Sequence, residues 1–502
     1  MALTTHSVTD TELRPVRRSC AAAAVWIAVG VLLALYLVGT GLSYVERVRD
    51  PSESLYGESI VLDEAHRVPL GQPLYAAPTG LPLTVTAYMP VYYLLVGWLQ
   101  AGVDHPGYAV GRLVSVAATI GCAALIAVSV FRATQCTGKA NLRWLAGTLA
   151  AALFLTQNLT VLLWGPTYRV DMLALCFALA GLALATSGRT TLAALPLVLS
   201  VLTKQTYLAA PLCVFVTLWP NRRSMLVFAS LFVGALAVAL GVGIWLTHNL
   251  LLWHTFVADA NPLEFDYFSS MLGSFAQFNA LPLVAAGALF GLSSLPAERL
   301  WRMYFVVSGL VALATVGKLG ASSNYWLELT AATSVLIGVL AVRLASATHR
   351  APFTSAGLAG LLLASLLTCV PAYQLTVSQA ATALLNGPPQ ATTQRLQAAA
   401  YVANEPGALL TDDPNLAVLA GKRVEFEAIV FTLLAAQGTW DEAPILDAIQ
   451  ARQFGLVALT ESLDAPQEPL IARRLSDNVR AVLRQAYAPA GQLEGYWLYR
   501  PA

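Results

Sequence analysis

Charge is scarce in this sequence. Asp, Glu, Lys and Arg make up 11% of its 502 residues, against about 25% in soluble globular chains. One aqueous core cannot hide that shortfall, which excludes an ordinary soluble domain and points to lipid as the solvent of much of the chain. An excess of either sign is also lacking. The formal net charge is +1, so no basic field marks a nucleic-acid partner. Cysteine is sparse: Cys20, Cys122, Cys136, Cys176, Cys213 and Cys369 all fall in or beside apolar segments, and no CxxC pair occurs. That pattern supports neither a zinc site nor a disulfide framework. The six histidines lack ligand spacing. A Gly-rich phosphate loop, a Walker motif and a Ser-His-Asp set are likewise missing.

Long apolar runs are what the chain has. The first, 21–42, is long enough to span a bilayer and follows a polar stretch holding Arg14, Arg17 and Arg18. No small-residue cleavage site ends it, so it reads as a retained transmembrane helix with a cytoplasmic N-terminus. Further runs cover 111–131, 144–163, 172–186, 192–202, 207–219, 225–246, 281–295, 304–316, 325–342 and 358–370. Counted in order, they predict about eleven spans. The cationic clusters at Arg132/Lys139/Arg143, Arg189, Arg222/Arg223, Arg299/Arg302 and Arg343/His349/Arg350 then fall on the inner side. Arg47 and Arg49 strain that rule. The stretches 44–88 and 248–277 become outer loops, and the apolar 90–100, half a span long, an interfacial helix.

From about residue 372 the character changes. Acidic residues become frequent, 407–411 and 454–459 read as short buried strands, and 443–453 reads as a helix. The expected fold is a multi-pass α-helical membrane protein (1–371) carrying a C-terminal soluble α/β domain (372–502) on the same side as the first loop.

Charge at a membrane boundary needs a reason. The richest patch lies in the first outer loop, where Glu58 and the pair Asp63-Glu64 precede Tyr88-Met89-Pro90-Val91-Tyr92-Tyr93. A carboxylate just outside a span, under an aromatic interfacial helix, makes a roofed cleft; its plainer reading is a solvated acidic loop. Arg169, Asp171, Lys204 and Gln205 sit at neighbouring outer helix ends. Cations there suit a phosphate, whereas a local Arg169–Asp171 ion pair and an ordinary loop lysine are the plain alternatives. Glu328 enters the membrane after Asn324-Tyr325-Trp326 and either lines an inner cavity or pairs with Lys318.

Taken in order, Tyr56-Gly57-Glu58, Gly71-Gln72-Pro73-Leu74-Tyr75, Tyr88-Met89-Pro90-Val91-Tyr92-Tyr93, Gly111-Arg112-Leu113, Arg169-Val170-Asp171 and Thr203-Lys204-Gln205-Thr206 resemble the C superfamily of integral-membrane glycosyltransferases. The resemblance is to its bacterial branch related to protein O-mannosyltransferases and to the aminoarabinose and lipopolysaccharide-core transferases. It implies an inverting transfer of a sugar from a polyprenyl-phosphate donor to a lipid, glycan or protein acceptor at the outer face of the cytoplasmic membrane. The carboxylate it requires in the first outer loop matches Glu58. Many relatives carry Asp there, often as an Asp-Glu pair, where this chain has Gly57-Glu58, which keeps Asp63, in the pair Asp63-Glu64, as an alternative. Lys204 and Arg169 are the implied donor-phosphate ligands, with Asp171, Tyr88, Tyr92, Gln205 and Glu328 positioning substrate. A lipid monophosphate does not demand a divalent cation, although the resemblance leaves room for one. A secondary transporter, with ionisable groups near mid-membrane, and a non-catalytic polysaccharide-assembly subunit are the rival readings.

Overall fold

The computed structural model describes residues 13–156, 159–346, 354–466 and 473–502, with side chains from residue 21 on. The side chains of Arg14, Arg17 and Arg18, and the whole of His349 and Arg350, lie outside the described residues.

The membrane part is built from α1 (Leu13–Arg49), α2 (Glu58–Arg67), α3 (Val91–Leu99), α4 (Ala109–Ala133), α5 (Ala140–Thr156), α6 (Leu159–Trp164), α7 (Asp171–Thr186), α8 (Thr190–Thr203), α9 (Ala209–Thr217), α10 (Arg222–Leu246), α11 (Leu250–Leu252), α12 (Phe265–Gly287), α13 (Arg299–Thr315), α14 (Leu327–Ser346) and α15 (Ser355–Asn386). Among the described residues, six segments are long and apolar enough to cross a bilayer unaided: Ala21–Arg49, Ala109–Ala133, Arg222–Leu246, Phe265–Gly291, Ser323–Ser346 and Ser355–Asn386. The other apolar runs form the shorter helices α5, α7, α8, α9 and α13. On α10, Val233, Val238, Trp245 and Leu246 are each at least 60% exposed, an apolar surface that only lipid covers favourably. The chain is a multi-pass membrane protein.

Two apolar stretches differ from the sequence reading. Residues 265–277, expected as outer loop, open α12. Phe268, Met271, Leu272 and Phe275 recur at helical spacing and pack on α13 and α14, with Phe275 stacked on Trp326 at 4.2 Å. The last apolar helix does not stop near 370 but runs through Pro371 to Asn386. Its continuation is polar yet uncharged, so hydropathy cuts it short, while Tyr373 stacks on Tyr36 of α1 at 4.1 Å.

The contacts of α1 with α15 also fix a direction. Trp26 donates to Ser355 Oγ (3.1 Å), and Tyr36 donates to the Leu366 carbonyl (2.8 Å). The two helices run parallel, so the loop after α1 and everything after α15 emerge at one end of the bundle. The opposite end is closed by Glu298, fully buried between Arg302 (2.8 Å) and Arg343 (2.9 Å).

Beyond α15, the chain forms α16 (Gln390–Asn404), β1 (Ala408–Thr411), α17 (Pro414–Leu419), α18 (Ala428–Ala436), α19 (Ala443–Gln450), β2 (Phe454–Leu459), α20 (Asp477–Ala486), β3 (Tyr487–Leu493) and β4 (Tyr496–Pro501). The sheet order is β1-β2-β4-β3, with β1 and β2 parallel and the remaining pairs antiparallel. Alternate residues feed two cores. Leu410, Val457 and Leu459 face α18–α20, whereas Leu409, Leu456 and Leu498 face α16 and α17.

This unit is joined to the first loop. Leu83 N–H donates to the Glu425 carbonyl and Glu427 N–H to the Leu83 carbonyl, both at 2.8 Å, making a parallel bridge between Leu83 and Phe426. Trp440 donates to the Pro78 carbonyl (2.7 Å), and Asn415 donates to Ser52 Oγ (3.0 Å).

Candidate functional site

The site begins where α2 begins. Gly57 precedes the helix with φ +91°, a left-handed conformation that favours glycine. A Cβ here would collide with Nη1 of Arg169. Glu58 starts the helix and is fully buried. Its carboxylate takes both Nε (3.0 Å) and Nη2 (2.7 Å) of Arg112, and the amide N–H groups of Ser54 (2.6 Å), Leu55 (3.3 Å) and Tyr168 (2.6 Å). Five donors fill the acceptor positions of one carboxylate. Arg112 in turn donates to the carbonyls of Arg47, Asp50 and Ser52, so the pair ties α4 to the end of α1 and the start of α2.

Next to this knot lies a cavity of about 480 Å³ between the first loop, the start of α7, the α8–α9 break, the segment before α14, and α18. Helical geometry decides which α2 residues face it. Gly57, Ile60, Val61 and Glu64 line it at i, i+3, i+4 and i+7. Asp63 is turned about 100° away. It pairs with Arg67 (2.5 Å) and accepts from Val424 N–H (3.1 Å), holding the C-terminal unit in place.

One end of the cavity is cationic. Arg169 Nη2 donates to Tyr88 Oη (2.5 Å) and Nη1 to the Tyr56 carbonyl (3.3 Å), while its buried Nε has no partner. Its guanidinium lies over the rings of Tyr88 (5.3 Å) and Trp164 (5.7 Å), and no carboxylate pairs with it among the described residues. Lys204 follows the last residue of α8 and is paired with Asp171 at 2.5 Å, not with a loop neighbour. The same Asp171 oxygen accepts from Asn324 (2.8 Å). Asp171 stands behind Lys204 and is bonded to it rather than to Arg169, so the local ion pair weighed above does not form. Lys318 pairs with Asp259 (2.7 Å), not with Glu328. Gln205 donates to the carbonyls of Ala87 (2.8 Å) and Thr255 (3.2 Å) at the wall.

Two other sequence candidates lie off the main cavity. Tyr92 is fully buried and donates to the Gly111 carbonyl (3.1 Å). Glu328 accepts from Tyr304 (3.0 Å) and lines a small adjoining pocket with Lys204 and Tyr325.

The other end is acidic. Glu64 accepts from Thr86 Oγ1 (2.8 Å) through Oε1, the Tyr93 hydroxyl lies beside the same carboxyl, and no cation is bonded to it among the described residues. Burial pushes this carboxyl up to about 7. Glu427, buried just before α18, accepts from Val85 N–H (2.8 Å). Burial, with the nearby charge of Glu64 adding to it, pushes Glu427 up to about 8. Sequence reasoning named Glu64 only as the partner of Asp63 and missed Glu427. The face shared with Ile60 and Val61 is the signal for the first. The second carries no local signal. Among the described residues, no group of three His, Cys, Asp or Glu side chains is placed to hold a metal ion.

No family model and no curated protein matches this chain. Solved structures do. The apo crystal structure of ArnT from Cupriavidus metallidurans aligns at TM-score 0.55 and 14% identity, over 95% of this chain and 98% of that one. The archaeal oligosaccharyltransferase AglB from Archaeoglobus fulgidus, in complex with an inhibitory peptide and a dolichol-phosphate, aligns at TM-score 0.52 and 12% identity, over 94% of this chain and 74% of that one. The apo form of the same archaeal enzyme gives TM-score 0.50 at 12% identity, with the same coverage of both chains. These likenesses establish the fold: this chain shares the architecture of ArnT and of the archaeal oligosaccharyltransferase.

Proposed function

We propose that this protein transfers a sugar from a polyprenyl-phosphate donor to an acceptor hydroxyl at the outer face of the cytoplasmic membrane. The observation that carries the reading is one cavity with, among the described residues, a guanidinium that no carboxylate pairs at one end and two carboxylates that no cation pairs at the other. The fold supports it, as does a dolichol-phosphate bound to a protein of the same architecture.

Glu64 Oε2 takes the proton of the acceptor hydroxyl as that oxygen attacks the anomeric carbon from the face opposite the leaving group. The bond from the anomeric carbon to the phosphate oxygen breaks, its electron pair stays on the phosphate, and the anomeric configuration inverts. Arg169 and Lys204 stabilise the polyprenyl phosphate that leaves, by charge-assisted hydrogen bonds in a water-poor site. Asp171 and Asn324 hold Lys204 in position, and Tyr88 holds Arg169. Glu58 acts through Arg112 on the shape of the loop, and Asp63 docks the C-terminal unit. The cationic end opposite the site, around Arg302 and Arg343, suits the cytoplasmic side, which supports an outward-facing cavity.

The test is sugar release from a panel of polyprenyl-phosphate sugars by the purified protein in lipid, supplied with cell-envelope glycans as acceptors. Turnover of one donor is expected. Arg169→Ala is expected to weaken binding of that donor by about 1.5–3 kcal/mol, the scale of a hydrogen bond to a charged group, and to reduce the salt dependence of binding. A panel in which nothing is bound or consumed sinks the reading. Unchanged donor affinity in the Arg169 variant removes that residue from the phosphate site.

A further inference from the structure

The acidic end of the cavity is composite. Residues 85 and 86 hold both of its carboxylates: Val85 N–H donates to Glu427 Oε2, and Thr86 Oγ1 donates to Glu64 Oε1. Glu64 has a second hydroxyl beside it, that of Tyr93 on α3, and Glu427 keeps one oxygen with no protein donor among the described residues, the Val85 N–H being on its partner oxygen. Both side chains line the same cavity, one from the first loop and one from the C-terminal unit.

The charged and titratable groups around them are largely spoken for. On α2, Arg67 is bonded to Asp63 and Thr84. On the segment of Glu427 itself, Arg423 is chelated by Glu425. Tyr56, ahead of α2, faces Glu427, while Tyr93 of α3 and Tyr75 face Glu64, and the charge of Arg67 reaches both carboxylates. Arg169 faces the pair from the loop before α7, but it is held by Tyr88 and Tyr56 at the cationic end. No salt bridge reaches Glu64 or Glu427 among the described residues. Two buried carboxylates at one site without a bonded cation do not both ionise readily.

We infer that Glu64 and Glu427 hold one proton between them and clasp the acceptor as a pair, which fixes the acceptor as a neutral polyol such as a glycan hydroxyl face. This rests on the transferase reading above. Ionised Glu64 accepts the proton of the reacting hydroxyl. Protonated Glu427 donates a hydrogen bond to a neighbouring oxygen of the same acceptor and keeps its proton through the step. One donor and one acceptor side by side match vicinal hydroxyls. An anionic acceptor meets the ionised Glu64 unfavourably. Burial pushes both carboxyls up, and the charge of Glu64 pushes Glu427 up further, so Glu427 is the one that keeps the proton.

The sign follows from that order. Acceptor kcat/KM rises with pH as Glu64 ionises and falls again as Glu427 loses its proton, giving a bell-shaped profile. In Glu427→Gln, whose amide is isosteric with the protonated acid and still donates, the alkaline limb is expected to vanish while the acid limb stays. Glu427→Ala is expected to lower acceptor kcat/KM about tenfold across the range, the scale of one lost hydrogen bond to a charged or polar partner. An alkaline limb that survives in Glu427→Gln overturns the pairing. So does Glu427→Gln falling as far as Glu427→Ala while donor binding persists.

A second readout needs no substrate. The infrared carbonyl band of protonated carboxyls, followed in the native protein in lipid, is expected to lose intensity as pH rises through about 8, and Glu427→Gln is expected to remove that step. An unaltered band in the variant sinks the shared proton whether or not a donor has been found. A lost step in a protein that turns over no donor leaves the pair standing and sinks the transferase reading instead.

Discussion

Glu64→Gln is expected to lower the rate of sugar transfer by about 10²- to 10⁴-fold at neutral pH, the usual contribution of a positioned general base, with donor binding retained. The glutamine keeps the length and the Thr86 contact of the native side chain but cannot take a proton. Two observations set the size of the effect. Glu64 lines the cavity with only the hydroxyls of Thr86 and Tyr93 beside its carboxylate and no bonded cation among the described residues. Burial also raises its pKa from the ordinary carboxylate range to about 7, which matches a base working near neutrality. A group with a raised pKa is ionised only above that value, so native activity should rise with pH through about 7. In Glu64→Gln the residual rate should lose that dependence. Single-turnover transfer from bound donor, measured across pH, checks both. A variant that keeps native turnover would return the base to another carboxylate of the cavity.

Glu58→Ala should act on a different quantity. It leaves the Arg112 guanidinium buried and without its carboxylate, and breaking a buried pair in this way costs about 3–5 kcal/mol. The expected result is a large drop in the thermal midpoint of the protein in lipid or detergent, with turnover lost in proportion to folded protein. Glu58→Gln should fall between the native and alanine forms, since its single amide oxygen can still accept either from Tyr168 or from Ser54 and Leu55, but not from both sides, and carries no charge for Arg112. In a double-mutant cycle, Glu58→Ala and Arg112→Ala should be strongly non-additive, because each removes the same contact. An unaltered midpoint together with abolished turnover and intact donor binding would make Glu58 a chemical group after all.

These two residues also show what the sequence discloses. Loop 44–88 was recognisable as the acidic face of the site because carboxylates beside a span are few. Which carboxylate faces the cavity depends on rotation about a ten-residue helix. Neighbouring residues there point about 100° apart, so Asp63 and Glu64 part company. The resemblance raises an Asp-Glu pair where this chain has Gly57-Glu58. Gly57 is the cavity-facing member of that pair, and Arg169 occupies the space a side chain would need. The break at Lys204 was legible as four polar residues between apolar runs, and α8 ends at Thr203. Its partner was not, because Asp171 is brought to it by the antiparallel packing of α7 on α8. Glu427 lies furthest beyond reach: it meets Val85 across 342 residues of sequence, and no periodicity records such a contact. The continuation of α15 to Asn386 was hidden for a simpler reason, since hydropathy does not separate a polar helix face packed on α1 from the start of a soluble domain.

The bridge between Leu83 and Phe426 governs how this molecule can be recombined with its structural relatives. A chimaera that takes a foreign unit in place of residues 390–502 keeps Arg169, Lys204 and Glu64, and loses Glu427, Ile429, Val430 and Leu433 from one wall of the cavity. The graft also leaves Leu83 N–H and the Leu83 carbonyl facing a strange backbone. Host and graft must therefore be exchanged together with segment 83–87, as lock with key. On the transfer reading proposed above, donor choice should then stay with the host while acceptor choice travels with the graft, so that exchange of this one unit would change the receiving molecule and leave the sugar source as it was.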